Sequence, residues 1–444
     1  MVLDKSGGLP WHRKKQWISP TISKLRNDVN SGEKSSIDKI WEKLEKEGAP
    51  LIETISGNET HKLVTFIVRA DEDTRNVVII CALADQDDIV SHNRCERIAN
   101  TDIFYKSFVV LNGTRTIYTI SKNNSLKYKF FYDNLMRNWD TCSPDPFNSK
   151  KFRQRYRREG KSFEIEYSVL EMPDAKPRTW TLPNKDLIPG NLEELDFYSE
   201  ILKGDRKIWV YTPNNFDIKG KPYSFLLFFD GKAYLEFTQP QIILDNLQAK
   251  KKIPAVVAIF VHNYSGFMRG KDLNCYPPYA DFIAKELIPW ARKNYNITSD
   301  PAQIVAIGSS SGGLTASFLG YKYPEIIGNV LSQSGYYGWW PGTEWFKSNV
   351  EFYGKNYVHW WTKEDEREQE WLTKQFLKSN KLPLKFYMNI GNLETHSLNE
   401  VQNFRNVLQQ KGYTFQFEEY PGGHEYIAWR EQLPEGLIYL IGSE

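Results

Sequence analysis

The chain has 444 residues, of which 41% are hydrophobic and 25% are charged, and its formal net charge is +2 at pH 7. The length exceeds that of one ordinary domain and predicts two domains. The composition is typical of a soluble globular protein, and the small net charge excludes a global electrostatic attraction to nucleic acid.

The cysteines and the apolar runs indicate a compartment. The four cysteines form no C-x-x-C pair, so the sequence indicates neither a zinc site nor a redox motif. We also expect no cofactor. Scattered thiols suit a reducing compartment, with two disulfides as the alternative. The first residues lack the apolar core of a signal peptide, and the apolar run 253–261 is about half as long as a membrane helix. We expect a cytoplasmic protein without membrane insertion, although a precursor already cleaved would have the same pattern.

The first part of the chain predicts one helix followed by strands. Residues 1 to about 34 are polar and support no assignment. Residues 35–38 are typical of a capping box, and the apolar spacing after them predicts an amphipathic helix that ends near Gly48. Short strands at the spacing seen here favour a β-sandwich. The predicted strands are 63–68, 77–81, 108–111 and 116–120.

A basic stretch with interleaved aromatic residues follows at 150–161. Its charge could attract an anionic ligand or nucleic acid. We favour the simpler interpretation of a solvated connector near a domain boundary. Residues 172–177 and 183–185 contain prolines and are typical of a domain end followed by a linker.

Strands and helices alternate after residue 195, with helices predicted, for example, at 280–292 and 398–410. This alternation predicts a mostly parallel sheet covered by helices on both faces. It is the α/β-hydrolase type of architecture, in which catalytic groups follow the carboxyl ends of strands. The predicted strands are 207–211, 225–229, 255–260, 304–307, 330–332, 386–390 and 415–418.

The sequence G-x-S-x-G at 308–312 lies between the apolar strand 304–307 and a helical pattern at 314–319. This strand–turn–helix context is typical of a serine nucleophile. Glycines on both sides let the backbone turn sharply without a Cβ clash, so the hydroxyl of Ser310 is predicted to be exposed. The alternative is a Gly/Ser-rich loop without chemistry.

A serine needs a base, and histidine is the usual one because its pKa lies near neutrality. In this architecture the acid and the histidine follow the serine, which leaves His359, His396 and His424. His424 follows two glycines after strand 415–418 and is the predicted base. His359 precedes two tryptophans, and we interpret it as structural.

The acid is expected on the loop after strand 386–390. Glu394 lies there and would accept a hydrogen bond from the imidazole, which fixes its orientation. Glu400 is the second candidate, although it is predicted to lie inside a helix. The alternative role for Glu394 is to cap that helix.

A tetrahedral intermediate needs two N–H donors for its oxyanion. One is predicted to be the backbone N–H of Ser311, directly after the nucleophile. The other should come from the loop after an earlier strand, where Gly231 and Lys232 follow strand 225–229.

Together these residues resemble the enterochelin (enterobactin) esterases over most of the chain after about residue 60. The match extends to both predicted domains, so it is more specific than the serine motif. It rests on Arg97–Asp102, Leu170–Pro173, Phe229–Gly231, Gly308–Gly313, Leu331–Gly335, Trp339–Pro341 and Gly422–Arg430.

The resemblance implies a two-domain serine esterase that cleaves the ester bonds of ferric enterobactin or a related catecholate siderophore, so that iron is released in the cytoplasm. It implies a sandwich-like (immunoglobulin-like) substrate-capping domain at 1–180 and an α/β-hydrolase, esterase D-like catalytic domain at 181–444. By resemblance Ser310 is the nucleophile, His424 the base and Glu394 the acid.

The resemblance also implies ligand-binding residues. Arg269 aligns with a family arginine and, with Lys232 and Arg430, would bind the anionic iron–catecholate. Trp339 and Trp340 would stack on catechol rings, with a role in the hydrophobic core as the alternative.

Two departures from the family leave the siderophore open. Ser309 and Ser311 stand where members often carry Gln and Phe, and segment 351–370 is rich in charge and tryptophan. A glucosylated siderophore, a linear trimer or a siderophore–peptide conjugate fits equally well. An acyltransferase on the same scaffold is a second hypothesis, and a siderophore-binding protein without a working triad is a third. The oligomeric state is also left open.

Overall fold

The computed structural model of the protein describes residues 18–84, 86–158, 161–264, 266–343 and 357–442. The chain divides into two units. The first contains the chain up to Lys176 and two later segments, Asn392–His396 and Tyr420–Ala428. The second contains the other residues from Pro177 onwards. The predicted boundary follows residue 180, and the sequence gives no sign of the two later segments.

Two antiparallel sheets make up most of the first unit. Its strands are β1 (Leu51–Ile55), β2 (Asn58–Arg69), β3 (Val77–Cys81), β4 (Glu96–Arg97), β5 (Ile103–Leu111), β6 (Arg115–Lys122), β7 (Cys142–Ser143), β8 (Lys151–Arg158) and β9 (Lys161–Glu171). The sheet orders are β1-β2-β5-β4 and β3-β6-β9-β8, with β7 paired to β6. Phe66 of β2, Phe108 of β5 and Tyr118 of β6 share one core, so the two sheets pack against each other.

Short helices cover the outer faces of these sheets. They are α1 (Pro20–Asn30), α2 (Ser35–Glu47), α3 (Ile89–Asn93) and α4 (Phe131–Arg137). The predicted capping box is wrong, because Lys34 occupies the cap of α2 and makes no side-chain capping bond. Helix α1 was not predicted, although Ser19 caps it by accepting a hydrogen bond from the N–H of Ile22 at 3.1 Å.

The basic stretch is strand β8, so its interpretation as a connector is wrong. It pairs along its length with β9. Arg153 Nε lies 2.7 Å from a carboxylate oxygen of Glu166, and Arg155 lies 3.9 Å from Glu164. Part of the positive charge of this stretch is therefore compensated by acidic side chains on the adjacent strand.

An eight-stranded sheet forms the centre of the second unit. Its strands are β10 (Asn191–Ser199), β11 (Gly204–Thr212), β12 (Ser224–Phe228), β13 (Val256–Val261), β14 (Ile304–Ser309), β15 (Asn329–Gln333), β16 (Lys385–Gly391) and β17 (Thr414–Tyr420). Their order is β10-β11-β13-β12-β14-β15-β16-β17. Strands β13, β12, β14, β15 and β16 are parallel neighbours, whereas β10 with β11 and β11 with β13 are antiparallel.

Apolar side chains bury both faces of this sheet, because successive strand residues point to opposite sides. Phe225 and Leu227 of β12 join one core, and Leu226 and Phe228 join the other. The predicted α/β class is confirmed. The α-helices among the described residues after Pro177 are α5 (Gly231–Ala233), α6 (Pro240–Ala249), α7 (Phe267–Asp272), α8 (Pro277–Phe282), α9 (Ile288–Tyr295), α10 (Ser311–Lys322), α11 (Trp371–Lys378), α12 (Leu398–Gln410) and α13 (Tyr426–Ile441).

The helices and the cysteines bear on two expectations from the sequence. Within the described ranges, no helix combines the length and the apolar character that are needed to cross a bilayer. Cys81, Cys95, Cys142 and Cys275 are all free thiols, so the alternative with two disulfides is wrong.

Candidate active site

The predicted nucleophile lies at a strained turn between β14 and α10. Ser310 has φ 55° and ψ −123°, a conformation that non-glycine residues adopt rarely and at a cost in free energy. A Cβ on Gly308 would lie 2.3 Å from the carbonyl carbon of Gly312, so only glycine fits at 308. The N–H of Ser310 donates to the carbonyl oxygen of Gln333, and its own carbonyl oxygen accepts from the N–H of Tyr336, both at 2.9 Å. These bonds hold the serine in place.

The predicted oxyanion donors lie at the starts of two helices. Ser311 is the first residue of α10, and Gly231 is the first residue of α5. First-turn N–H groups have no acceptor within their own helix. A Cβ on Gly231 would lie 2.5 Å from the carbonyl carbon of Phe260, so the backbone there must be glycine. The roles of Ser311, Gly231 and Lys232 remain predictions.

Asp230, directly before Gly231, forms a bidentate ion pair with Arg269. Its carboxylate lies 2.8 Å from Nε and 2.7 Å from Nη2 of Arg269. The Asp230 side chain is 4% exposed and that of Arg269 is 32% exposed. Much of the positive charge that the sequence assigned to an anionic ligand is therefore compensated within the protein.

A cavity of about 400 Å³ borders the start of α10. Tyr336, whose side chain is 40% exposed, lines it and was missed by the sequence analysis. The available signal was its position directly after the Leu331–Gly335 motif. The lining residues are Gly266, Arg269, Gly270, Asn274, Ser311, Tyr336, Trp339 and Thr343.

The two tryptophans proposed to stack on catechol rings pack against the core of the second unit. Trp339 is 1% exposed and lies 6.1 Å, between ring centroids, from the nearly parallel ring of Trp360. Trp340 is partly buried against the same core. This is the alternative that the sequence left open, although Trp339 also borders the cavity.

The two remaining predicted cations have contacts of their own. The guanidinium of Arg430 donates a hydrogen bond to the carbonyl oxygen of Thr181. Lys232 lies 3.9 Å from Glu236, and its side chain is about half exposed. Their part in ligand binding remains a prediction.

The predicted acid and base meet in the first unit. Glu394 Oε2 lies 2.6 Å from Nδ1 of His424, and the hydroxyl of Tyr420 donates to Glu394 Oε1 at 3.4 Å. An ionised carboxylate only accepts hydrogen bonds, so Nδ1 carries the proton and Nε2 is left as the basic nitrogen. This arrangement suits a general base.

The other candidates do not share this geometry. His396 is exposed, and its ring centroid lies 6.1 Å from that of His424. The ring of His359 packs at a tilt of 38° against that of Trp361, with 3.9 Å between the ring centroids. Glu400 lies within α12, as expected. Of the charge-rich segment 351–370, residues 351–356 lie outside the described residues.

Among the residues that the structure describes, no three His, Cys, Asp or Glu side chains lie together in an arrangement that could hold a metal ion.

Comparison with known proteins identifies the family. A family model described as "Putative esterase" matches residues 199–440, which is more than half of the chain. The chain belongs to this esterase family. A second model, described as "Enterochelin esterase, N-terminal", matches residues 63–181. The two matches together confirm the resemblance to the enterochelin esterases.

Relatives of this esterase cover nearly its whole length. An iron(III) enterobactin esterase from Dickeya dadantii is 26% identical over 95% of this chain and 96% of its own. An iron(III) salmochelin esterase from Escherichia coli is 23% identical over 95% and 98%. A crystal structure of the enterobactin esterase from Shigella flexneri, determined in the presence of enterobactin, covers 88% of this chain and 95% of its own, with a TM-score of 0.67 and 22% identity. At that identity the structural match supports the fold alone.

Proposed function

We propose that this carboxylic ester hydrolase cleaves the ester bonds of ferric enterobactin or a related catecholate siderophore. The observation that carries the proposal is the strained turn at Ser310, in a chain whose relatives over nearly the whole length include an iron(III) enterobactin esterase and an iron(III) salmochelin esterase. These relatives favour water, rather than an alcohol or amine, as the acyl acceptor. An acyltransferase is therefore the less favoured alternative.

We also propose a fold type for each of the two units. We assign the second unit to the α/β-hydrolase architecture, because the serine lies at a strand–turn–helix junction and the chain order is serine, acid, histidine. We interpret the first unit as an immunoglobulin-like sandwich because two antiparallel sheets share one core.

The proposed reaction is acyl transfer in two steps. The imidazole of His424 takes the proton of Ser310 while Oγ attacks the ester carbonyl, and Glu394 stabilises the imidazolium. The oxyanion accepts hydrogen bonds from the N–H of Ser311 and from the backbone at Gly231 or Lys232. His424 then protonates the leaving alcohol. Water, deprotonated by the same imidazole, attacks the acyl-enzyme and regenerates the serine.

The cavity beside Ser311 is the proposed site for part of the siderophore. Tyr336 offers an aromatic ring that a catechol could contact, and Trp339 contributes to the wall. Because Asp230 compensates Arg269, we propose that Arg269 orients polar groups of the ligand and adds little net attraction. Trp340 and Arg430 remain secondary candidates for binding.

Chromatography of ferric enterobactin after incubation with the protein tests the proposal. Wild type should produce linear trimer, dimer and monomer. Ser310→Ala should produce none, whereas Ser309→Ala, a substitution at the adjacent buried serine, should behave as wild type. Cleavage by Ser310→Ala would contradict the assigned nucleophile. An intact siderophore with all three proteins would contradict the substrate.

We place this reaction in the cytoplasm. The four free thiols support a reducing compartment. Fractionation of the native host should recover the protein with cytoplasmic markers, and recovery with extracellular or envelope markers would contradict this placement.

A further inference from the structure

The loop that carries His424 is bonded to the edge of strand β6. Glu425 directly follows His424, and its side chain is buried. Glu425 Oε1 accepts a hydrogen bond from the hydroxyl of Thr116 at 2.7 Å, and Oε2 accepts one from the N–H of Ile117 at 3.1 Å. Thr116 and Ile117 are residues of β6, so two bonds join one carboxylate to a strand in the middle of its sheet.

The same loop continues the sheet where β3 ends. The pairing of β3 with β6 stops at Cys81 opposite Tyr118. Beyond that point the N–H of Ile117 donates to Glu425, and the N–H of Arg115 donates to the carbonyl oxygen of Pro421 at 3.3 Å. Alternate residues of a strand direct their N–H groups to the same edge. The loop therefore takes the place that a longer β3 would occupy.

The loop fits closely at this edge. A Cβ on Gly423, directly before His424, would lie 2.7 Å from the Cβ of Ala82, just after β3. Only a glycine allows the backbone to come so near. The base is therefore flanked by a close contact on one side and by the bonds of Glu425 on the other.

The segment that carries the acid is held by the same unit. The side-chain amide of Gln86 donates to the carbonyl oxygen of Leu393 at 3.0 Å, and Leu393 directly precedes Glu394. The side chain of Leu393 packs against the core between the two sheets. The N–H of Leu393 also donates to the carbonyl oxygen of Gly422 at 3.1 Å. The acid segment and the base loop are thus bonded to each other and to the sheets.

Glu425 is not itself placed to transfer protons in the reaction, because both of its oxygens accept hydrogen bonds from β6. We infer that Glu425 and Thr116 are positioning residues for the base, so that the N-terminal sandwich takes part in catalysis by fixing the Glu394–His424 pair. This inference rests on the proposed function. It gives the first unit a second role beside the substrate capping that the resemblance implies.

The expected effect is on the rate and not on binding. A displacement of about 1 Å of a catalytic group can lower a rate by about 100-fold. Thr116→Val keeps the shape of the side chain but removes the donor to Glu425. We expect kcat to fall about 10- to 100-fold with KM within about twofold of wild type, because the substrate contacts are unchanged.

A matched control lies three residues along the same strand. Thr119 is buried like Thr116, and its hydroxyl donates to the carbonyl oxygen of Ser143 at 2.9 Å, away from the loop. Thr119→Val loses a comparable buried hydrogen bond. We expect a similar loss of thermal stability in both variants and a loss of kcat in Thr116→Val only.

Two substitutions of Glu425 add a rescue test. In Glu425→Gln the amide oxygen can accept from Ile117 while the amide NH₂ donates to the Thr116 hydroxyl, which can itself accept a hydrogen bond. Glu425→Leu can make neither bond. We therefore expect Glu425→Gln to retain most of the wild-type rate and Glu425→Leu to lose it as Thr116→Val does.

The rate at which a fluorophosphonate labels Ser310 is the main measurement, because it depends on serine activation and not on recognition of a siderophore. Hydrolysis of p-nitrophenyl acetate and of ferric enterobactin supplies kcat and KM. Equal labelling rates for Thr116→Val and Thr119→Val would overturn the inference. If wild type hydrolyses only the small ester, the siderophore assignment is wrong but the inference about Glu425 and Thr116 is unaffected. If the fluorophosphonate does not label wild type, both the proposed function and this inference are wrong.

Discussion

Glu394 and His424, thirty positions apart in the chain, are joined by a 2.6 Å hydrogen bond between Oε2 and Nδ1. Glu394 is fully buried, and Tyr420 contacts its second oxygen. A buried carboxylate is tolerated only when it is paired or hydrogen-bonded. The pair therefore fixes the orientation of the imidazole before any substrate binds.

Glu394→Gln should lower kcat by about 10⁴-fold, because an amide can favour the wrong tautomer of the imidazole. The change keeps the size of the side chain, so the fold should persist. Glu400→Gln, at the alternative acid, should leave kcat close to that of wild type. Steady-state kinetics with p-nitrophenyl acetate measures both. Equal losses in the two variants would contradict the assignment of Glu394.

Gly308→Ala should destabilise the protein by about 3 kcal/mol, because overpacking against backbone cannot relax as a flexible side chain can. Its Cβ would meet the backbone of Gly312 at 2.3 to 2.8 Å. The control is Gly204→Ala, where no atom lies within 4 Å of the added Cβ. That change should alter stability by no more than about 0.5 kcal/mol. Urea denaturation compares the two, and equal midpoints would show that the turn is not tight.

Arg269→Gln should cost about 3 kcal/mol of stability, because it leaves the buried carboxylate of Asp230 without its partner. The double variant with Asp230→Asn and Arg269→Gln should be destabilised by about 2 kcal/mol less than the sum of the two single variants. Lys285→Gln removes a more exposed ion pair with Asp281 and should cost less than about 1 kcal/mol. Denaturation of all variants completes the cycle, and strictly additive single effects would contradict a coupled pair.

Burial raises the pKa of Glu425 to about 7 from its usual 4.5, and the nearby charge of Glu394 adds to the shift. The bonds from Thr116 and Ile117 act in the opposite direction. Between pH 4.5 and about pH 7 the folded protein therefore keeps a proton on Glu425 that the unfolded chain has released. Stability from this group is therefore complete below pH 4.5 and is lost as the pH rises through about 7.

Glu425→Gln removes this titration. Relative to the variant, wild type should lose stability on the order of 3 kcal/mol between pH 4.5 and 8, which is the size of the pKa shift expressed as free energy. Denaturation at several pH values across the window measures the difference. Cys81 and Tyr156 interact with the same carboxylate, but burial holds the pKa of each far above this range. A constant difference between the two proteins would contradict the raised pKa.

The sequence predicted the parts of the fold whose signal is local. The apolar run 77–81 is strand β3 with unchanged bounds, and helix 398–410 is α12. Strand β8 was missed because its polar residues gain their partners, such as Glu164 and Glu166, from a strand that follows in the chain. Such pairing cannot be predicted from the pattern of a single segment.

In the candidate site, too, some features have a local signal in the sequence and others depend on contacts between distant segments. Ser310 follows from its motif, because the turn needs glycines within two residues of the serine. The pairing of Asp230 with Arg269 spans thirty-nine positions and depends on how β12 and α7 pack. Tyr336 lines the cavity because of the turn that follows β15. Its position directly after the Leu331–Gly335 motif marks it in the sequence, but that position alone does not indicate that the side chain faces a cavity.

Strand β10, which escaped sequence prediction because it is polar, ends the central sheet on one side. An edge strand offers unpaired backbone groups to any other extended chain, and this invites aggregation. β10 carries three acidic side chains, Glu193, Glu194 and Asp196, and most of the strand is exposed. Adding a further strand there would bring these charges against a neighbouring backbone. The polar sequence that prevented the prediction of β10 therefore also disfavours pairing of this edge with a strand of another chain.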